Sequence, residues 1–209
     1  MEKKMRQLPM VALRGLVVMP GTAMSFDLSR KKSIEAVQRA MEGEQKIFLS
    51  AQKSIEIEDP TQEDLYQIGT IATVRQIVKL PKQIVRVMVS GEQRGILQKL
   101  ESEEPFLLAE VLEINNLHKL VDEIASSLQL FYTEQQELLE QLDFWKRYEL
   151  LTFKLVNEVE IMDVKNEIRM KVKERVDKHQ REYILREEMK YIREELGDAD
   201  SVSDAAEFE

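Results

Sequence analysis

The sequence predicts an α+β chain: a β-rich first half that carries one helix, then an all-helical second half that ends in a long projecting helix. Three observations carry this expectation. All five prolines lie between Pro9 and Pro105 and six of the seven glycines at or before Gly95, so the chain changes from loop-and-strand grammar to helix grammar near residue 115. Charge changes at the same point: residues 1–114 hold sixteen basic and sixteen acidic residues, whereas residues 115–209 hold fourteen and twenty-three. Apolar residues also recur at every second position before the boundary and at helical spacing after it. The expected organisation is therefore a β-rich domain over 1–114, a helical bundle over 115–198 and an acidic tail over 199–209.

In the first half, KIFLSA (46–51), IGTIATVRQIVKL (68–80), QIVRVMVSG (83–91), RGILQKL (94–100) and FLLAEVLEI (106–114) are β-branched runs separated by turn residues. Val85, Val87 and Val89 alternate with Arg86, Met88 and Ser90, which marks a strand with one buried face. SRKKSIEAVQRAMEG (29–43) breaks the pattern. Ser29 stands as an N-cap, Ile34, Val37, Ala40 and Met41 share a face, and Gly43 occupies the stop position. Short strands plus one helix suggest a mostly antiparallel sheet or partly closed barrel.

In the second half, Val121, Ile124, Leu128 and Phe131 are helically spaced. Thr133 and Gln136 read as a capping box opening a helix over 133–142. Asp143 marks the start of a helix over 144–161, with Tyr148, Leu151, Leu155 and Val159 as its stripe, and Asp163 the start of the last helix. From Asp163 to Leu196 that helix would run about 50 Å, further than such short neighbours can cover, so it must project. Its apolar residues change sides. At about 100° per residue, Val176, His179 and Tyr183 fall within roughly 40° of Val172, while Leu185, Met189, Ile192 and Leu196 cluster about 200–260° away from it.

Composition excludes several function classes. With 43% hydrophobic residues the chain can bury a core, and its net charge of −9 opposes a polyanionic partner. No apolar run approaches the ~20 residues of a membrane span. Nothing at the start resembles a signal peptide and cysteine is absent, so the expected location is cytoplasmic. Neither GxxxxGK[ST] nor GxGxxG occurs, and Gly91 and Gly95 read as a tight turn. His118, placed at the domain junction, and His179, on the inner stripe of the last helix, are too few for a metal centre. The basic run Arg30, Lys31 and Lys32 reads as solvated surface. Ser33, Ser90 and Ser126 lie in ordinary cap, turn and helix contexts, so no catalytic residue is assigned.

LPMVALRGLVVMPGTAMSF (8–26), SRKKSIEAVQRAM (29–41), EDPTQEDLYQIGTIATVRQIVKLP (58–81), VSGEQRGIL (89–97) and QREYILREEMKYIREELG (180–197) together resemble the N-terminal region of the ATP-dependent protease Lon. The patterns LPxxxLRxxVVxPG, DLYxIGTxA and QREYxLREExKxIxxELG occur in that family's order. Ala12, Ser25 and Asp27 depart from it. The resemblance implies a PUA-like pseudo-barrel followed by a helical subdomain. It implies no catalysis in this chain. The implied role is to recognise and deliver damaged or degron-bearing proteins and to support assembly of a homo-oligomer, a hexamer in the whole enzyme. ATP and Mg are implied for an ATPase module and a Ser–Lys dyad for a protease module, both outside this chain.

Two sets of binding residues are expected. Met19, Pro20, Met24 and Phe26, in the loop VVMPGTAMSF, suit capture of varied apolar sequences, because flexible thioethers adapt to many shapes. The same residues would equally plug the end of the barrel. Leu185, Met189, Ile192 and Leu196 are expected to meet another subunit or the ATPase module, while the 172–183 face packs on the chain's own bundle. The alternative is a bend near residue 184 that buries both faces in one core. Two other functions fit parts of the sequence, a stand-alone PUA-like RNA-binding module and a coiled-coil structural adaptor.

Overall fold

The structure, a computed structural model, describes residues 4–114 and 119–195. Its β-rich part contains β1 (Met5–Leu13), β2 (Ala23–Leu28), α1 (Lys31–Glu42), β3 (Lys46–Ala51), β4 (Ile68–Lys79), β5 (Val85–Ser102) and β6 (Leu107–Glu113). Three helices follow: α2 (Lys119–Ser127), α3 (Tyr132–Glu140) and α4 (Phe144–Glu195).

The sheet closes on itself. β1 pairs with β3 in parallel, and β3–β4, β4–β5, β5–β6 and β6–β1 are antiparallel, which makes a ring of five strands with β2 attached outside it to β5. One parallel pair in an otherwise antiparallel ring refines the sequence expectation. Leu8, Met10, Phe48, Ile71, Leu97, Ala109 and Val111 fill the ring, and all five strands contribute. The alternate residues of β1 and β3, Val11, Leu13, Ile47 and Leu49, pack on the other face with Ala36, Val37 and Ala40 of α1. A third cluster joins Val17, Met19, Ala51 and Ile68 to Val121, Ala125, Leu138, Leu139 and Leu151 of the helices.

Several local expectations are corrected. β5 runs unbroken through Gly91 and Gly95, so these glycines make no turn. They serve close packing instead: a Cβ on Gly91 would sit 2.4 Å from the Met19 carbonyl oxygen, and one on Gly95 would sit 2.5 Å from Val111 Cγ1. Between them the register slips, with Ala72 opposite Gly91 but Ile71 opposite Gln93, so Glu92 is the extra residue of a bulge. That bend lets β5 pair with β2 along its first part and with β6 along its second. Residues 5–13, to which the sequence pattern assigned no element, form a strand, and residues 23–28, whose start was read as part of a loop, form another. Pro9 in β1 precedes Met10, the first residue paired with β3, so its missing N–H interrupts no bond of that parallel ladder.

Helix starts differ as well. Arg30, not Ser29, is the N-cap residue of α1. α3 starts at Tyr132, where the Phe131 N–H donates to the Glu134 carboxylate at 3.1 Å. Gln136 is no capping partner, since it is buried and its Nε2 donates to the Ile68 carbonyl at 2.8 Å. Phe131 lies outside α2 and is exposed. Asp143 does cap α4, accepting from the Lys146 N–H at 2.9 Å. Asp163 starts nothing, because α4 is one uninterrupted helix of 52 residues, about 78 Å at 1.5 Å per residue.

By its internal contacts the chain divides into two units, residues 1–155 and 156–209. The change of grammar near residue 115 falls inside the first unit, where strands give way to helices. In the second unit, every described residue is exposed except Asn157, Glu158 and Glu182, which are half-buried. The expectation that the 172–183 face packs inward is therefore overturned: Val172, Val176 and Tyr183 are 53%, 55% and 65% exposed, and His179 is exposed too. The alternative, in which both faces are buried in one core, is overturned as well, since Ile184, Leu185, Met189 and Ile192 are each about half exposed. His118, Leu196, the expected stop Gly197 and the tail 199–209 lie outside the described residues.

Candidate functional site: an open groove beside strand β2

The segment between β1 and β2 is held down along its length. The Thr70 hydroxyl donates to the Val18 carbonyl at 2.6 Å, and the Thr22 hydroxyl to the Met19 carbonyl at 2.6 Å. Gly21 N–H donates to Gly91 O at 2.9 Å and Gly91 N–H to Thr22 O at 2.8 Å. Met19 is 2% exposed in the third core cluster, and Pro20 is buried beside it. These two are core, not a capture surface, because the sheet and the helices close over them.

Met24 and Phe26 lie on β2 and are half-buried against the α1 cluster, with Leu28 buried behind them. Ala23, Ser25 and Asp27 alternate with them on the exposed face. Phe26 and Leu28 border a groove of about 750 Å³, which continues past Leu13, Leu16 and the start of α1 to Glu58, Asp59 and Pro105. Four bases, Arg14, Arg30, Lys31 and Lys32, line it against five acids, Asp27, Glu35, Glu58, Asp59 and Glu104. The Arg30 guanidinium donates to Gln52 Oε1 at 2.5 Å, and burial with nearby Arg14 pulls its pKa down. Lys32 faces Glu104 at 3.2 Å. The groove is amphipathic and nearly balanced in charge.

On the outer face, Asp27 and Arg86 stand opposite each other on β2 and β5 and join through two hydrogen bonds of 2.7 and 2.8 Å. The guanidinium holds the Asp27 carboxyl below the usual range. Met88 is exposed opposite Ser25, a thioether that the sequence reading passed over. Its place on the polar side of an alternating strand was the available signal.

Where the helices meet the sheet, a buried polar knot fixes them to it. The Arg147 guanidinium is wholly enclosed, pairs with the Asp122 carboxylate and donates from Nε to the Leu138 carbonyl at 2.8 Å. Arg94 of β5 donates to the carbonyls of Leu139 at 3.1 Å and Gln141 at 2.8 Å. The two cations thus satisfy the carbonyls that the end of α3 leaves without intrahelical donors. Burial first, then the Arg147 charge, pulls Arg94 down to about 10. None of these residues was singled out from sequence, although Arg147 shares a helical stripe with Leu151 and Leu155, and a charge in an apolar stripe is the mark of a buried pair. Among the described residues no group of three or more His, Asp or Glu could hold a metal ion, and no helix is long and apolar enough to cross a membrane.

Of the expected docking residues, Leu185, Met189 and Ile192 are each about half exposed on α4, and nothing among the described residues covers them.

The family model for the ATP-dependent protease La (LON) substrate-binding domain matches residues 7–116, the ring of strands from the third residue of β1 onward with β2 and α1. The chain belongs to the Lon substrate-binding domain family. The protein called Lon protease from Lachnoclostridium phytofermentans is 36% identical over 252 aligned positions, covering all of this chain and 31% of that protein. That of Clostridioides difficile is 32% identical, covering 96% of this chain and 32% of its own length. The chain thus spans about a third of these Lon relatives. The N-terminal domain of the Mycobacterium avium complex Lon protease superposes with a TM-score of 0.54 at 17% identity, over 70% of this chain and 96% of that one. The Lon N-terminal domain protein from Xanthomonas campestris gives 0.53 at 16%, over 70% and 97%. At such identities these two Lon structures speak for the fold.

Proposed function

We propose that this chain recognises unfolded or degron-bearing polypeptides and delivers them to an ATP-dependent Lon-type protease, in the cytoplasm, with ATP and Mg serving a separate ATPase module. The observation that carries the reading is the groove of about 750 Å³ bordered by Phe26, which lies within the residues that match the substrate-binding family. Its half-buried aromatic offers apolar contact area, and its near-equal acids and bases suit a polypeptide better than a polyanion. Met24 and Phe26 are the contact residues in this reading, with Met88 exposed on the opposite face of the same strand pair. The test is anisotropy of a labelled, permanently unfolded protein titrated with the chain. Phe26→Ala should weaken binding by about tenfold; no binding by the unaltered chain, or no effect of the substitution, would defeat the reading.

A second role, homo-oligomer assembly, is favoured by α4. Monomers rarely leave a long run of apolar side chains in water, and here apolar residues are exposed on both faces of the helix between Val156 and Ile192. Leu185, Met189 and Ile192 at spacings of four and three fit a helix–helix seam. Replacing all three by Ala should lower the sedimenting mass of the chain; an unchanged mass with unchanged assembly of the whole protein would refute that role.

A further inference from the structure

β2 ends the sheet. It pairs with β5 from Ala23 to Leu28 and with no other described strand. The polarity of its open side follows from one hydrogen bond. Because Gly91 N–H donates to Thr22 O, that carbonyl faces β5, and the N–H of Ala23, on the opposite side of the same peptide plane, faces away. Alternation along an antiparallel pair then turns the N–H and C=O of Ala23, Ser25 and Asp27 to the open edge, while Met24, Phe26 and Leu28 bond to β5.

Edge strands usually carry devices that prevent pairing, such as Pro, Lys or an uncompensated charge. β2 has neither Pro nor Lys, and Arg86 neutralises its one charge, Asp27. The open edge runs into the Phe26 groove.

We propose that an extended segment of a client polypeptide adds to β2 as a further strand. Its backbone bonds to Ala23, Ser25 and Asp27, and its alternate side chains reach the Phe26 groove on one face and Met88 on the other. The proposal rests on the reading of this unit as a polypeptide-binding module and supplies the mode. A row of unsatisfied amides asks for another backbone, which neither a nucleic acid nor a compact folded surface offers. Selection for unfolded clients follows, because only an unfolded segment has its own backbone groups free.

The test uses the whole chain, fluorescein-labelled reduced and carboxymethylated α-lactalbumin, and two peptides of the segment of that protein that binds, one plain and one N-methylated at alternate amides. Ser25→Pro removes an outward N–H without touching the β5 ladder, while Ser25→Ala keeps it. Strand addition predicts about tenfold weaker binding for Ser25→Pro and for the N-methylated peptide, with Ser25→Ala within about twofold of the unaltered chain. If folded Ser25→Pro, or the N-methylated peptide, binds as tightly as its parent, strand addition is overturned while the polypeptide-binding reading survives. If the unaltered chain binds no client, both fall. A dimer of the chain that Ser25→Pro dissolves and client does not displace would make a second copy the occupant, and would also overturn the proposal. Should Ser25→Pro fail to fold, the peptide pair decides.

Discussion

Replacing Asp122 by Ala should be among the most damaging single changes this chain can suffer outside its apolar core. The carboxylate faces an Arg147 guanidinium that is 0% exposed. Removing it leaves two buried cations side by side, Arg147 and Arg94, which among the described residues would keep as hydrogen-bond partners the carbonyls of Leu138, Leu139 and Gln141. Breaking a buried ion pair from one side costs about 3–5 kcal/mol, a large part of the ~5–15 kcal/mol that stabilises a typical domain. Urea unfolding followed by far-UV circular dichroism checks this. With a slope of about 1–3 kcal/mol per molar, the midpoint should fall by at least about 1 M. The double change Asp122→Leu with Arg147→Met removes both charges and should restore most of the loss, less about 1 kcal/mol for the bond to Leu138. A loss below about 1 kcal/mol for Asp122→Ala, or a double variant no better than the single, would refute the view that an uncompensated buried charge is what matters.

Gly91→Ala places a methyl 2.4 Å from the Met19 carbonyl, a backbone atom that cannot swing aside, and should cost about 1–3 kcal/mol in thermal unfolding. Asp163→Ala should leave helix content by circular dichroism unchanged or raise stability by about 0.5 kcal/mol, since Asp163 is an exposed mid-helix residue; a loss of about 1 kcal/mol would instead mark a helix cap. Acid should loosen the β5 bulge. Burial alone would raise the Glu92 carboxyl, but Lys46 and Thr73 together outweigh it and hold it below 4.5. A carboxyl lowered in the folded state contributes stability above its unfolded value, and that contribution is lost as pH falls from about 4.5 through the folded value. The melting temperature of Glu92→Gln should therefore vary less with pH below 4.5 than that of the unaltered chain. Glu134, lowered chiefly by its hydrogen bond from Lys154, adds to the same acid limb.

Much of the β half was legible because one buried face imposes a period of two. β3 ends where its sequence run ends, and β4 stops one residue short of it. β1 escaped because Pro9 breaks the strand signature, although its place before the β3 ladder makes the missing N–H harmless. β2 escaped although Met24, Phe26 and Leu28 alternate, because six residues after a Pro-Gly pair read equally well as loop. On the helical side, the capping rules located Asp143 correctly and misplaced Thr133 and Asp163. A capping side chain acts only where the backbone already leaves the helix, and a continuous α4 offers no such place at Asp163.

The candidate site divides in the same way. The thioethers of the loop VVMPGTAMSF brought Met24 and Phe26 to notice, but methionine content alone could not separate them from Met19, whose enclosure depends on helices more than a hundred residues away. By itself the sequence determined the α+β division, the family motifs and the long terminal helix, since each is written in local periodicity and composition. Only the tertiary structure decided that the sheet closes into a ring, that Arg94, Arg147 and Asp122 meet where the helices join it, and that β2 is left with an open edge. Those features depend on which distant backbones share hydrogen bonds, and pairing between remote segments leaves no mark on the spacing of residues within either one.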